Sequence, residues 1–133
     1  MSFKVYRHVA GGRDEVIGRA DPDGKIHRST PGRDDYLGRV DQASGRVYVA
    51  DLGPDDYVAR AHPEDGKVFE HRAAKRDVYR GRVDEGRRLF VHRRWRSDAY
   101  AGRVDEGASL ALAGGALFLL FLHPSPEGDA APA

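Results

Sequence analysis

At 133 residues and 14.7 kDa the chain can bury one real core, which excludes a catalytic domain plus a second module. Hydrophobic residues at 40% and charged residues at 32% make an ordinary globular balance, and a net charge of +1 means that any basic footprint has to be local rather than a global field. The chain has no Cys, no Asn, one Gln (Gln42) and one Met (Met1), which excludes disulfides, thiolate metal sites, cysteine nucleophiles and N-glycosylation and suits a hot or GC-rich host.

Residues 1–10 carry no apolar signal-peptide core, so the expected location is the cytoplasm. From there an internal repeat dominates. Lys4-Val5-Tyr6, Lys25-Ile26-His27, Arg46-Val47-Tyr48, Lys67-Val68-Phe69, Arg88-Leu89-Phe90 and Ser109-Leu110-Ala111 recur at steps of 21. A second half-motif begins at Val16, Tyr36, Tyr57, Tyr79 and Tyr100 and reads aromatic-x-Gly-Arg-Val-Asp at its most regular. Between the halves, Asp21-Pro22-Asp23-Gly24, Gln42-Ala43-Ser44-Gly45, Pro63-Glu64-Asp65-Gly66, Asp84-Glu85-Gly86 and Asp105-Glu106-Gly107 predict tight hairpins with the Gly at positive φ. The return links, such as Ser29–Asp34, are also short and turn-rich. The expected fold is therefore an all-β antiparallel meander of five to six hairpin repeats, closed or nearly closed into a barrel. Period-2 alternation puts Tyr36, Gly38 and Val40 on one inward face, with Tyr rings covering Gly18, Gly38, Gly81 and Gly102 of the next unit and Ala59 as a substitute.

Polar side chains repeat in register too. Arg19, Arg39, Arg60, Arg82 and Arg103, each followed two residues later by Asp21, Asp41, His62, Asp84 or Asp105, predict a cross-strand ion-pair ladder on the outer face; the other reading is an anion-binding ring. His8, His71 and His92 share one repeat position, but Ser29 and Ala50 intervene, so surface imidazoles are expected rather than a metal set. Asp21-Pro22-Asp23-Gly24 opens like a calcium loop, yet Gly32 stands where the bidentate Glu belongs, so it reads as a turn. No phosphate-cradling loop, nucleophile elbow or metalloprotease motif is present, and neither catalysis nor a cofactor is expected.

The stretch 71–96 departs from the charge balance, with ten Lys or Arg against three acids and the single Trp inside it. Arg72, Arg76, Arg93, Arg94, Trp95 and Arg96 are the candidate ligand-binding residues, basic side chains for phosphates and a ring for stacking. Such a surface suits nucleic acid or phospholipid headgroups; the plainer reading is a solvated loop with Trp95 capping the barrel end under a stacked Arg.

The run 108–122 is uncharged and short of a membrane span. It reads as a strand that closes the ring against the first, a short helix plugging the axis, or a contact through Leu110–Leu122 that builds a homo-oligomer. Residues 1–123 make one domain and 124–133 a disordered tail.

The hairpin pattern over residues 3–113 resembles that of the bacterial fourfold β-flower proteins, although five full hairpins with a half at each end depart from a fourfold arrangement. The resemblance implies an all-β fold with no catalytic residues to carry over. The function expected is a non-enzymatic, self-associating binding or scaffold module, with anion or nucleic-acid binding through 71–96 as the alternative.

Overall fold

The computed structural model describes residues 2–50 and 56–123; the tail expected at 124–133 lies outside the described residues. Ten antiparallel strands follow in chain order: β1 (Phe3–Arg7), β2 (Glu15–Ala20), β3 (Lys25–Thr30), β4 (Arg33–Val40), β5 (Arg46–Val49), β6 (Asp56–Ala61), β7 (Lys67–Glu70), β8 (Val78–Val83), β9 (Arg88–Val91) and β10 (Ala99–Val104). Each pairs with its chain neighbours, and β10 pairs with β1, so the meander closes into a barrel. Tight turns lie at one end of the barrel and return links at the other.

Closure uses the repeat itself. In the fourth unit Asp84 N–H donates to Arg88 O (3.1 Å), and the Asp84 carboxylate accepts from Arg88 N–H (2.9 Å). In the fifth unit Asp105 N–H donates to Lys4 O (3.0 Å) and the Asp105 carboxylate accepts from Lys4 N–H (2.9 Å). The first strand thus occupies the place that Ser109-Leu110-Ala111 would hold in the repeat, leaving no open edge to template aggregation.

Displaced from the wall, the chain turns inward as helix α1 (Leu110–Leu117), continued by a π-helical turn over Phe118–Leu122. Ser109 caps its start by accepting from Leu112 N–H (3.1 Å) while donating to Gln42 Oε1 (2.7 Å). Every residue from Ala111 to Leu120 is buried. A helix apolar on all sides is stable only where all sides are covered. Of the strand and helix readings of this run, the axial helix is the one observed. From Ala111 to Leu120 it is buried within the chain itself, and Leu110, Phe121 and Leu122 stay partly exposed.

The lumen dictates small residues where wall and helix approach most closely. Eight strands leave a barrel interior that wall side chains alone can fill, and ten leave more. Here the helix fills it against Val5, Ala20, Ile26, Val40, Val47, Ala61, Val68, Val83, Leu89 and Val104. The fit is tightest at the helix centre, where a Cβ on Gly115 would lie 2.0 Å from Val40 Cγ2 and one on Gly114 2.5 Å from Ala61 Cβ. At the far end Arg28 Nη2 donates to Leu120 O (3.4 Å), a cation set against the negative end of the helix.

The expected inward face holds for Gly38 and Val40 but not for Tyr36. Ile26 pairs with Gly38 and His27 with Tyr36, so Leu37 is an extra, bulged residue that reverses the alternation and turns Tyr36 outward. The same shift interrupts β1·β2, β5·β6, β7·β8 and β9·β10. Tyr rings therefore do not cover the strand glycines. A Cβ on Gly102 would instead meet the carbonyl oxygen of Tyr6 at 1.9 Å, while from inside Leu120 and Leu117 approach Gly18 and Gly81. Positive φ occurs at Gly24, Gly45, Gly66 and Gly107, as the turns predict, but the fourth turn places it at Arg87 rather than Gly86.

Gly115→Ala is expected to lower stability by about 1–3 kcal/mol despite the better helix propensity of Ala, because the new methyl overpacks against Val40. Urea denaturation of the variant beside the parent chain checks the sign.

Candidate basic rim and its supporting clusters

At the link end of the barrel a motif of His, five residues and Asp recurs. His8 Nδ1 lies 3.4 Å from Asp14, His71 Nδ1 3.2 Å from Asp77, and His92 Nδ1 3.1 Å from Asp98. Tyr100, Tyr57 and Tyr79 pack against the three imidazoles at centroid distances of 4.9, 4.3 and 4.9 Å. The bulges make these contacts by turning each Tyr outward. The three His thus do not converge on one another; each is held by its own Asp as a surface imidazole. Among the described residues, the one group of three side chains close enough to share a cation is His62, Glu64 and Asp65 in the β6–β7 turn, with ligand atoms within 4.8 Å. Asp65 already accepts from Lys67 N–H (3.0 Å), and His62 Nδ1 lies 3.3 Å from Glu64.

The Asp98 cluster is the most developed of the three. Its carboxylate accepts from Tyr79 Oη (3.0 Å), Arg82 Nε (3.2 Å) and His92 Nδ1. Burial pushes the Asp98 pKa up, but the hydrogen bonds from His92, Tyr79 and Arg82 outweigh it and hold the group below the usual 3.8. On the other side of the same contact, burial and the Asp98 acceptor push the Tyr79 hydroxyl up to about 12. Repetition of His, Asp and Tyr at matching offsets was the sequence signal for these clusters, but the bulges hide which face the Tyr occupies.

Above this layer stand the candidate residues. Link 71–77 joins β7 to β8 and link 92–98 joins β9 to β10; because β8 pairs with β9, the links are neighbours. Two interstrand spacings put them about 10 Å apart. Arg72, Arg76, Arg93, Arg94, Trp95 and Arg96 are all exposed on this rim, together with Lys75. Six basic side chains thus stand on two links whose own acids are Asp77 and Asp98, with Glu70 at the adjoining end of β7, whereas Arg87 in the turn and Arg88 at the start of β9 lie at the opposite end. The charge excess read along 71–96 is therefore split between the two ends. Arg72 Nε lies 3.8 Å from Glu70, and Arg93 Nε donates to Ser97 O (2.9 Å). Among the described residues Lys75, Arg76, Arg93, Arg94 and Arg96 make no ion pair.

Trp95 is 89% exposed, so it does not cap the barrel end; Arg94 does lie over its ring, 5.5 Å from the centroid. Its backbone φ is +65°, a left-handed conformation that costs an L-residue about 1–2 kcal/mol. The same link position carries Gly11 (φ +76°), Gly32 (φ +85°) and Ala74 (φ +60°) at multiples of 21, with Gly53 outside the described residues. That spacing is legible in the sequence, but only the backbone shows that it marks a position where Gly is favoured.

The Arg series lies on the outer wall. Arg39, Arg82 and Arg103 stack over Tyr48, Phe90 and Tyr6 at 4.1, 4.1 and 3.8 Å. Arg82 and Arg103 pair with Asp98 and Asp14 from the links, and Arg19 with both Asp21 and Asp34. The ladder exists, but its carboxylates come chiefly from the links rather than from the Asp two residues on. A cleft of 540 Å³ opens at the turn end beside Ser2, Phe3, Arg103 and Asp105, away from the link His residues. No protein family, curated protein or solved structure matches the chain.

Asp98→Asn is expected to cost about 1–3 kcal/mol at pH 7, because Arg82 and His92 lose a charged acceptor. With the folded pKa below 3.8, the contribution of Asp98 is present above that pH and is lost as pH falls through the folded value. Urea midpoints of parent and variant should therefore differ at pH 7 and approach each other as the pH is lowered below 3.8.

Proposed function

We propose that the protein is a binding module whose link rim takes the phosphate backbone of a nucleic acid. The observation that carries this reading is the set of six basic side chains on two adjacent links, of which only Arg72 has an ion-pair partner among the described residues. Arg guanidinium groups bind phosphate oxygens through paired N–H donors, and Lys75 adds a mobile point charge. A His–Asp contact joins the two ends of each link, at 3.2 Å in 71–77 and 3.1 Å in 92–98, so both sets of cations are presented from closed loops. Their charge acts locally; with a net charge of +1, association depends on contact with the rim rather than on long-range steering.

The hairpin pattern remains similar to that of the fourfold β-flower proteins, here as a ring of five units, and this likeness supplies a scaffold rather than a ligand. The self-associating scaffold reading has less support, because the apolar run meant to carry it lies along the barrel axis.

Binding of an oligonucleotide should weaken with salt. If all six cations meet phosphates on a single strand, the slope of log K against log[salt] approaches about −4. Replacing Arg93, Arg94 and Arg96 together by Ala should make that slope shallower by about 2 and weaken binding at low salt, as read by anisotropy of a labelled oligonucleotide. Absence of binding at low salt, or binding indifferent to salt, would overturn the reading.

A further inference from the structure

We infer that Trp95 is a stacking platform for an unpaired base, so that the rim selects single-stranded over duplex nucleic acid. This rests on the rim reading and goes beyond it, since phosphate contacts alone do not distinguish strandedness.

Three observations lead to it. Trp95 is the most exposed large apolar side chain among the described residues, at 89%, so its ring contributes little to the core. It occupies a positive-φ position that two other links fill with Gly, which means that the fold would be easier to build without it. It is flanked in sequence by Arg94 and Arg96, with Arg94 against the ring, the combination that holds a base by its face and the adjoining phosphates by charge.

The alternatives fit less well. Bases in an intact duplex are already stacked, and inserting a ring between them costs a few kcal/mol per step, usually recovered by a wedge that bends the DNA around a large surface. A two-link rim offers no such surface. Membrane insertion needs a contiguous apolar face. Around Trp95 the neighbours in its own link are Arg93, Arg94 and Arg96, and the adjacent link contributes only Ala73 and Ala74 as apolar side chains.

The full chain permits a direct test, because Trp95 is its only Trp and its emission reports on this one side chain. The probes are an oligothymidylate, a duplex of the same length, inorganic polyphosphate and vesicles of phosphatidylcholine with phosphatidylserine. The expected result is quenching of Trp95 by the oligothymidylate, with little from duplex or polyphosphate. Trp95→Gly should bind labelled oligothymidylate about 5- to 100-fold more weakly, keep its affinity for polyphosphate, and melt at the same temperature as the parent or a few degrees higher. Trp95→Phe should retain much of the affinity. Oligothymidylate binding with unchanged emission and a Trp95→Gly affinity within twofold of the parent would overturn the stacking role while leaving the phosphate rim intact. Equal affinity and equal quenching with duplex would overturn the strand selectivity. A blue shift on vesicles without oligonucleotide binding would overturn both in favour of a membrane surface, and failure to bind either polyanion at low salt would overturn the rim itself.

Discussion

A ten-stranded ring cannot be filled by its own short side chains, and the rest of this structure follows from how that axial space is occupied. The wall presents Val, Ala and Gly inward, leaving room for a helix roughly 10 Å across. The chain supplies that helix from its own sequence, as Leu-Ala-Leu-Ala-Gly-Gly-Ala-Leu at Leu110–Leu117. At the helix centre larger residues would separate helix and wall, which is why Gly114 and Gly115 face Ala61 and Val40 at distances that admit no Cβ. Leu112, Leu117 and Leu119 are fully buried, each contributing about 1.5–3 kcal/mol by leaving water.

The same constraint explains why the run is helical. The wall strands bond to both neighbours around the ring, so an extended segment on the axis would leave its N–H and C=O groups without partners. A helix satisfies them internally. The sixth place in the 21-residue register, at Ser109, is meanwhile taken by the first strand through the contacts of Lys4 with Asp105. With β1 in that place, the run after Ser109 has no position in the wall. The closing contacts join residues about a hundred positions apart.

With the interior given over to packing, chemistry is left to the outside and to the rims. The bulges carry Tyr to the outer wall, where it meets His, and the links carry Asp back to that His and to an Arg from the wall. A charged and aromatic layer thus girdles the barrel, with its carboxylates held ionised by hydrogen bonds at Asp98. Basic side chains of the links project above this layer. The rim is the place where the repeat relaxes: links can differ in sequence without disturbing the wall. Trp95 and the cations around it use that freedom.

By itself the sequence determined the period, the antiparallel hairpins and the burial of the C-terminal run, because each is written locally in turn residues, strand alternation and unbroken apolar composition. It also pointed to Arg72, Arg76, Arg93, Arg94, Trp95 and Arg96 as a group, through a break in an otherwise balanced charge pattern. It misplaced the Tyr rings, since a bulge is a pairing property of two strands and leaves no mark on one of them. Only the tertiary structure decided that β1 closes the ring, that the apolar run becomes an axial helix, and that links 71–77 and 92–98 stand side by side while Arg87 and Arg88 lie at the other end. These outcomes turn on which groups find partners across the barrel, and local propensity cannot fix them: a strand, a helix and an interface are all open to the same apolar residues until the ring around them is complete.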